Sequence, residues 1–474
     1  MLPRPEMRTG LMALLVTAGV SACSLAPTYK APEVPVAPQY ANAASPWTEA
    51  KPADHLDRDG WWKLYGDTRL DDLQTKLLAN NASLAAALAH YEQSEAFTRQ
   101  VRAGLFPQIG FNGNATRNRE SDTRPLRGTT SPDLYNSYTL GVQLDYEVDL
   151  WGRVRDTVAA GRAEQAASAA DLASARLSLQ AQLADSYLQL NGFDRQIMVL
   201  DESIKAFQRA LELTQSRHEG GISSGLDVAR AQTQLSSAKS QLKQAQAQRS
   251  LELHAIAVLV GDSASSFQLA ADDRQVKVPT IPVDVPSVIL QRRPDVATAE
   301  RRTAASNARI GIAKSAFYPQ LTLDGQGGWQ SSMWGSIATA PNRFWAIGPT
   351  LALNLFDGGR RKAVVDQARA ATDEAGARYR DVVLNAFAQV EDNLTLLRDL
   401  GSALDDQRAA ADAAQHSVDL SLDRYRGGAV GYLDVTTAQQ AALDARRSVI
   451  DLETRQLRAS VQLIRALGGG WNAG

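Results

Sequence analysis

Residues 424–439 read RYRGGAVGYLDVTTAQ, and residues 217–232 read RHEGGISSGLDVARAQ. The second stretch is nearly the first written again. Aligning Gly427-Gly428 with Gly220-Gly221 sets an offset of 207 residues, and Leu433, Asp434 and Ala438-Gln439 then fall on Leu226, Asp227 and Ala231-Gln232. The same offset places Gly359-Arg360 on Gly152-Arg153, and IGPTLALNLF (from Ile347) on LGVQLDYEVDL (from Leu140). One register thus holds over roughly ninety residues. Upstream, FPQIGFNGNA (from Phe106) pairs with YPQLTLDGQG (from Tyr318) at an offset of 212, so the first copy carries five extra residues between these anchors. This is a duplication of a whole domain, not a short tandem repeat.

Each copy has the same predicted order. A helix of about 24 residues, from Ala82 or from Asp295, stops before Pro107 or Pro319. Two strand-like segments separated by a polar loop follow. A very long helix then runs from about Val154 to His218, or from about Arg361 to Tyr425. The Gly-Gly turn ends it, and a helix of about 35 residues returns. Glycine permits the positive φ at which a helix reverses. Asp227 and Asp434 sit at the start of the returning helices, where a carboxylate suits the helix dipole or serves as a cap.

The strand segments read as membrane strands. In TLGVQLDYEV, Leu140, Val142, Leu144, Tyr146 and Val148 share one face, and Gly141, Gln143, Asp145 and Glu147 the other. Its partners start at Gln108, Gln320 and Ala346. All are about ten residues long, the length of a tilted transmembrane strand. Long polar loops connect them, and Tyr135, Tyr138, Trp329, Trp334 and Trp345 lie near strand ends as an aromatic girdle does. Four strands cannot close a barrel, and open edges in lipid leave backbone groups unsatisfied at several kcal/mol each. Several chains must therefore share one barrel. Two would give eight strands and three would give twelve; the residues alone leave that choice open.

A helical tract of about 65 residues is roughly 97 Å long at 1.5 Å per residue. In the first copy Leu183, Leu190, Ile197, Ile204 and Leu211 recur every seven residues, with Phe193, Leu200 and Phe207 at companion positions, a coiled-coil seam. Nearer the strands, VAAGRAEQAASAADLASA (158–175) is almost all small and allows close packing. Tyr187 belongs with the core. The short helix and the returning helix together nearly match the long one, so the two are expected to stack end to end beside it.

Composition bounds the function. A net charge of -2 with 22% charged residues points away from nucleic acid. Five scattered histidines and a single cysteine give no metal site, and no nucleophile–base pair or phosphate loop is present, so no enzyme and no cofactor are expected. The cysteine has another use. Arg4 and Arg8 precede the short apolar run LMALLVTAGV (from Leu11), too short to span a bilayer, and VSAC (20–23) follows. This is the pattern of a lipobox, with Cys23 as the lipidated residue; a plain secretory signal is the alternative. A Pro- and Ala-rich tether follows it.

Taken together, VSAC, WWKLYGDTRLDDL (61–73), PSVILQRRPDVATAE (286–300), GIAKSAFYPQLTL (311–323), LFDGGR (355–360), the turn at 424–439 and ALGGGW (466–471) resemble the outer-membrane factor family, the TolC-like and NodT-like exit ducts. The pieces span almost the whole mature chain in order.

The resemblance implies a membrane α+β fold: a homotrimer with a twelve-stranded outer-membrane β-barrel continued by a long periplasmic α-helical barrel. It implies a passive duct for small molecules, joined through a periplasmic adaptor (membrane fusion protein) to a proton-driven inner-membrane transporter of the resistance-nodulation-division (RND) type. Ser24 after the cysteine resembles lipoproteins sent to the outer membrane. The expected segments are a signal peptide (1–22), a lipidated tether (23–60), a first repeat (61–267), an equatorial connector (268–287), a second repeat (288–467) and a C-terminal segment (468–474). In the family the hairpin tips dock the adaptor, which assigns that role to Gly220, Gly221, Leu226, Asp227, Gly427 and Gly428. A constriction at the second tip is assigned to Leu433, with Tyr432, Asp434 and Thr437. The family often has an aspartate where Thr437 stands; Asp434, one turn earlier, is the candidate substitute. A duct for type I protein secretion and a lipid-anchored periplasmic coiled-coil scaffold are the alternatives.

Overall fold

The computed structural model describes residues 24–32, 34, 59–121, 132–279, 281 and 293–469. In chain order the elements are α1 (Thr68–Asn80), α2 (Ala82–Ala103), β1 (Gln108–Arg119), β2 (Leu134–Glu147), α3 (Arg153–Glu219), α4 (Gly225–Leu259), α5 (Pro294–Ser315), β3 (Gln320–Ser331), β4 (Arg343–Ala352), α6 (Arg360–Arg426) and α7 (Tyr432–Ala466). The long helices α3 and α6 have 67 residues each and the returning helices 35 each, so the duplication is kept residue for residue. Two compact units are distinguished. One contains Tyr91–Ser168 and Ala299–Tyr379, the other Ala169–Thr298 and Arg380–Gly474, each with shorter N-terminal pieces. Each unit draws on both copies. Among the described residues no helix is long and apolar enough to cross a membrane.

The first unit is built on one antiparallel sheet in the order β1-β2-β3-β4. The strands are 12, 14, 12 and 10 residues long. Two boundaries differ from the sequence reading: β4 begins at Arg343 rather than Ala346, and β2 begins at Leu134, because the hairpin ladders continue into residues whose polar character reads as loop. The register sorts the side chains onto two faces. Phe111 pairs with Val142, Leu140 with Trp329, Leu323 with Pro349 and Leu321 with Leu351, all on one face. Asn112, Gln143, Asp145, Asp324, Gln326 and Thr350 lie on the other. The apolar face is uncovered: Phe111 is 75% exposed and Trp345 79%. Beyond β3, Trp334 meets Tyr138 edge-on at 5.6 Å. β1 and β4 each keep one edge with no partner strand among the described residues.

Below the sheet, Trp151 stacks on Tyr318 at 4.6 Å and donates to Pro319 O at 2.8 Å. The small tract of α3 does what its composition predicts. Thr98 Oγ1 donates to Gly161 O at 3.0 Å, and a Cβ at Gly161 would stand 3.1 Å from Val101. Residues just after the predicted lipidation point run along α5. Ser24 donates to Asp156 Oδ1 at 2.7 Å, Asn307 to Pro27 O at 2.7 Å, and Lys314 to Leu25 O at 3.2 Å.

The second unit holds the larger core. Trp61, Leu70, Leu77, Leu183, Tyr187, Ile256, Val461 and Ile464 are buried together. The motif WWKLYGD is seated here: Trp61 is fully buried, Tyr65 O–H lies 2.7 Å from Ser460 Oγ, and Asp67 caps α1 through Arg69 N–H (2.9 Å) while accepting from Tyr187 O–H (2.7 Å). The seam of α3 is only partly core. Leu183, Leu190, Leu200, Phe207 and Leu211 are buried, whereas Phe193, Ile197 and Ile204 are half-buried. Leu188 and Val199 join the buried set, which is wider than a two-helix stripe.

The end-to-end stacking has a residue-level basis. Asn81 breaks the chain between α1 and α2, caps α2 through Leu84 N–H at 2.8 Å, and donates to Leu259 O, the last carbonyl of α4, at 2.8 Å. In the second copy Arg293, next to the start of α5, donates to Ala466 O at the end of α7, at 3.0 Å. Both helix ends close alike: Gly261 and Gly468 take positive φ, and Asp262 N–H and Gly469 N–H reach back to Ala257 O and Ile464 O. The connector, described from 268 to 279 and at 281, is extended and lays Leu269, Val276 and Val278 against the core.

Candidate functional site at the hairpin tips

The two helical hairpins turn by the same device. At the first tip Gly221 N–H donates to His218 O (2.9 Å) and Ile222 N–H to Arg217 O (2.7 Å). At the second, Gly428 N–H donates to Tyr425 O (3.0 Å) and Ala429 N–H to Arg424 O (2.9 Å). This crossed pair of bonds is a Schellman ending, which requires one residue in the left-handed region. That residue is the second glycine of each pair, with φ 75° at Gly221 and 74° at Gly428. The expectation of two glycines with special backbone freedom narrows to one per turn. Gly220 and Gly427 still continue the helical ladder, to Ser216 O and Asp423 O.

Past the turn the copies diverge. Ser224 caps α4: its Oγ accepts from Asp227 N–H at 3.2 Å, and Asp227 Oδ2 accepts from Ser224 N–H at 3.3 Å, a reciprocal capping box. In the second copy Gly431 stands at the cap and offers no side chain. Asp434 therefore has no capping role. Its carboxylate is exposed and makes no bond among the described residues. Leu433 beside it is 51% exposed, as Leu226 is (58%) at the first tip. Thr437 is also exposed, and its hydroxyl is given to Leu433 O at 2.8 Å.

Tyr432 behaves differently from the three residues grouped with it. Only 2% exposed, it packs against Tyr425 with ring centroids 5.4 Å apart. Burial pushes its phenol up to about 12, the neighbouring Tyr425 adding to the shift and Thr214 opposing it. Among the described residues no hydrogen bond of normal geometry reaches the hydroxyl. Tyr432 is a core residue of the tip that holds Leu433 outward.

Arg217 ties the tips together. Its guanidinium donates to Tyr425 O (2.9 Å) and Arg426 O (3.0 Å), and lies over the Tyr425 ring at 4.6 Å. It thus satisfies the last carbonyls of α6 from outside that helix. Gln234 donates to Thr436 O at 3.4 Å and adds a second link. Sequence reading missed Arg217 and Tyr425 as a pair. Both stand in the two stretches that reveal the duplication, but nothing in their spacing says that they meet. Cys23 lies outside the described residues, as do the signal segment, most of the tether, residues 286–292 and Trp471.

The chain matches the family model described as outer membrane efflux protein over residues 73–262 and 285–469. It belongs to the outer membrane efflux protein family. Relatives agree along its whole length. The outer membrane protein OprJ of Pseudomonas aeruginosa is 32% identical over 468 residues, 98% of this chain and 96% of OprJ. The antibiotic efflux pump outer membrane protein ArpC of Pseudomonas putida is 32% identical over 473 residues, 98% of this chain and 96% of ArpC. Among solved structures, the outer-membrane channel OprN superposes with a TM-score of 0.83 at 28% identity, covering 95% of this chain and all of that one. This efflux protein has the fold of the outer-membrane channels, resides in the outer membrane and extends into the periplasm, and serves as an exit duct for efflux.

Proposed function

We propose that this efflux protein is one protomer of a lipid-anchored homotrimer that passively conducts small molecules out of the cell, receiving them from an inner-membrane RND transporter through a periplasmic adaptor. The observation that carries this reading is the sheet. It has one apolar, uncovered face, one polar face, and two strand edges without partners among the described residues. In lipid such edges must be joined, and three copies supply twelve strands around a polar interior wide enough for water. Catalysis has no place in this scheme; the energy comes from the transporter.

The tips take the two roles that the exposed groups suit. Leu433, with Asp434 and Thr437, forms the narrow periplasmic entrance, and Tyr432 supports it from within the hairpin. The turns at Gly220-Gly221 and Gly427-Gly428, with Leu226 and Asp227, receive the adaptor. Cys23 carries the lipid, at the end of a tether reaching to residue 60. Residues 61–267 and 288–467 are the two repeats, 268–287 the equatorial connector and 468–474 a C-terminal segment. Palmitate labelling that persists after Cys23→Ser excludes the anchor.

The decisive experiment is fractionation. Outer-membrane fractions are expected to contain a trimer that survives unheated detergent gels and collapses to one protomer on boiling. A monomer released by a mild wash would refute the duct assembly. Deletion of the gene followed by a drug, solvent and metal susceptibility panel then identifies the cargo.

A further inference from the structure

Arg217 has a duplicate at the offset of 207, and that duplicate is Arg424. The two arginines sit in the same backbone setting, each carbonyl accepting the outer bond of its Schellman turn. Their side chains differ completely in use. Arg217 is half-buried and fastened to the last carbonyls of α6, whereas Arg424 is exposed and its side chain has no partner among the described residues. The acceptors corresponding to Tyr425 O and Arg426 O are His218 O and Glu219 O, at the end of α3. Neither receives a side-chain donor among the described residues. One half of a repeated contact is made inside the protomer, and both components of the other half are exposed and without a side-chain partner among the described residues.

The geometry points to a second copy of this chain as the missing partner: Arg424 of one protomer caps the α3 C-terminus of the next, donating to the carbonyls of the partner's His218 and the partner's Glu219. A contact of this head-to-tail kind, repeated around an axis, closes a ring in which every tip is clasped by its neighbour. Charge favours the contact between protomers over its internal counterpart. Arg217 reaches past Arg426, a like charge; Arg424 meets Glu219, whose carboxylate is exposed and unpaired among the described residues. The ring beneath it is the imidazole of His218 in place of the phenol of Tyr425. The inference rests on the ring assembly proposed above and adds to it the residue that joins the tips.

The test uses the full-length protein in outer membranes, with the photo-crosslinking residue p-benzoylphenylalanine placed at position 424 or, in parallel, at 217. Irradiation at 424 is expected to shift the boiled band from protomer to covalent dimer and trimer, with the adduct mapping by mass spectrometry to residues 216–222 of the partner. Irradiation at 217 is expected to leave the protomer band in place and to map to residues 423–428 of the same chain. Trimers on unheated gels with no inter-chain adduct from 424, or with adducts elsewhere, overturn the clasp and leave the assembly standing. Absence of the trimer itself overturns both.

Discussion

At Gly428 the backbone sits at φ 74°, and at Gly427 it does not leave the helical ladder. Replacing Gly428 by Ala forces a Cβ into the left-handed region, at a cost of about 1–2 kcal/mol. Gly427→Ala meets nothing closer than 3.5 Å and is expected to be neutral within about 0.5 kcal/mol. Thermal dissociation midpoints of the two variant trimers check the contrast. Tyr432 gives a pH test. Its pKa is raised to about 12, above the ordinary value near 10, so its contribution is whole below about pH 10 and is lost as pH rises towards 12. Tyr432→Phe is expected to leave stability at pH 7 intact, because the buried hydroxyl makes no normal hydrogen bond, and to flatten the decline between pH 10 and 12. Melts of both proteins across that range decide it. At this scale the sequence was only half legible. Two adjacent glycines look alike; which one takes positive φ depends on where the helical hydrogen bonds run out. Tyr432 at a tip reads as an exposed gate residue, and its burial comes partly from Tyr425, which lies seven residues earlier on the other side of the turn and meets it only because the chain reverses between them.

The elements were the most legible part. Alternation at Leu140, Val142 and Leu144 encodes a two-faced strand, and Pro107 and Pro319 encode the helix stops that precede β1 and β3. Capping distinguishes the two returning helices. Ser224 and Asp227 form a box; Gly431 leaves Asp434 free of that duty. Ser224→Ala should therefore destabilise the start of α4 by about 1 kcal/mol. Gly431→Ser should stabilise the start of α7 by a few tenths of a kcal/mol and engage Asp434 in a second box. Hydrogen exchange at the first turns of α4 and α7 measures both. Unchanged protection of Asp227 N–H in Ser224→Ala would count against the box as a working cap. Strand ends were less legible, since the added ladder residues Leu134 to Tyr138 and Arg343 to Trp345 owe their pairing to the strand opposite, not to their own alternation.

For the whole molecule, the ties between distant segments matter most. Glu453 on α7 is 6% exposed and accepts from Arg195 of α3 (2.6 Å), Arg408 of α6 (2.6 Å) and Gln275 of the connector (2.8 Å). Glu453→Ala leaves Arg195 uncompensated in a largely buried position, for a loss of about 3 kcal/mol, measured as a lower unfolding midpoint in denaturant. Leu433→Ala should widen the proposed entrance and raise single-channel conductance in planar bilayers; an unchanged conductance argues against Leu433 as the constriction. The sequence by itself determined the duplication, the strand–helix order, the lengths of the hairpins and the position of their turns. Those are encoded locally, by periodicity and by glycine and proline, so neighbours along the chain suffice to read them. Only the tertiary structure decided that β2 of one copy pairs with β3 of the other, that Asn81 and Arg293 cap the ends of α4 and α7, that Arg217 clasps the second tip, and that Glu453 gathers three segments. Each of these joins residues far apart in sequence, and their partners are chosen by distance and desolvation in the folded chain, which no spacing along it records.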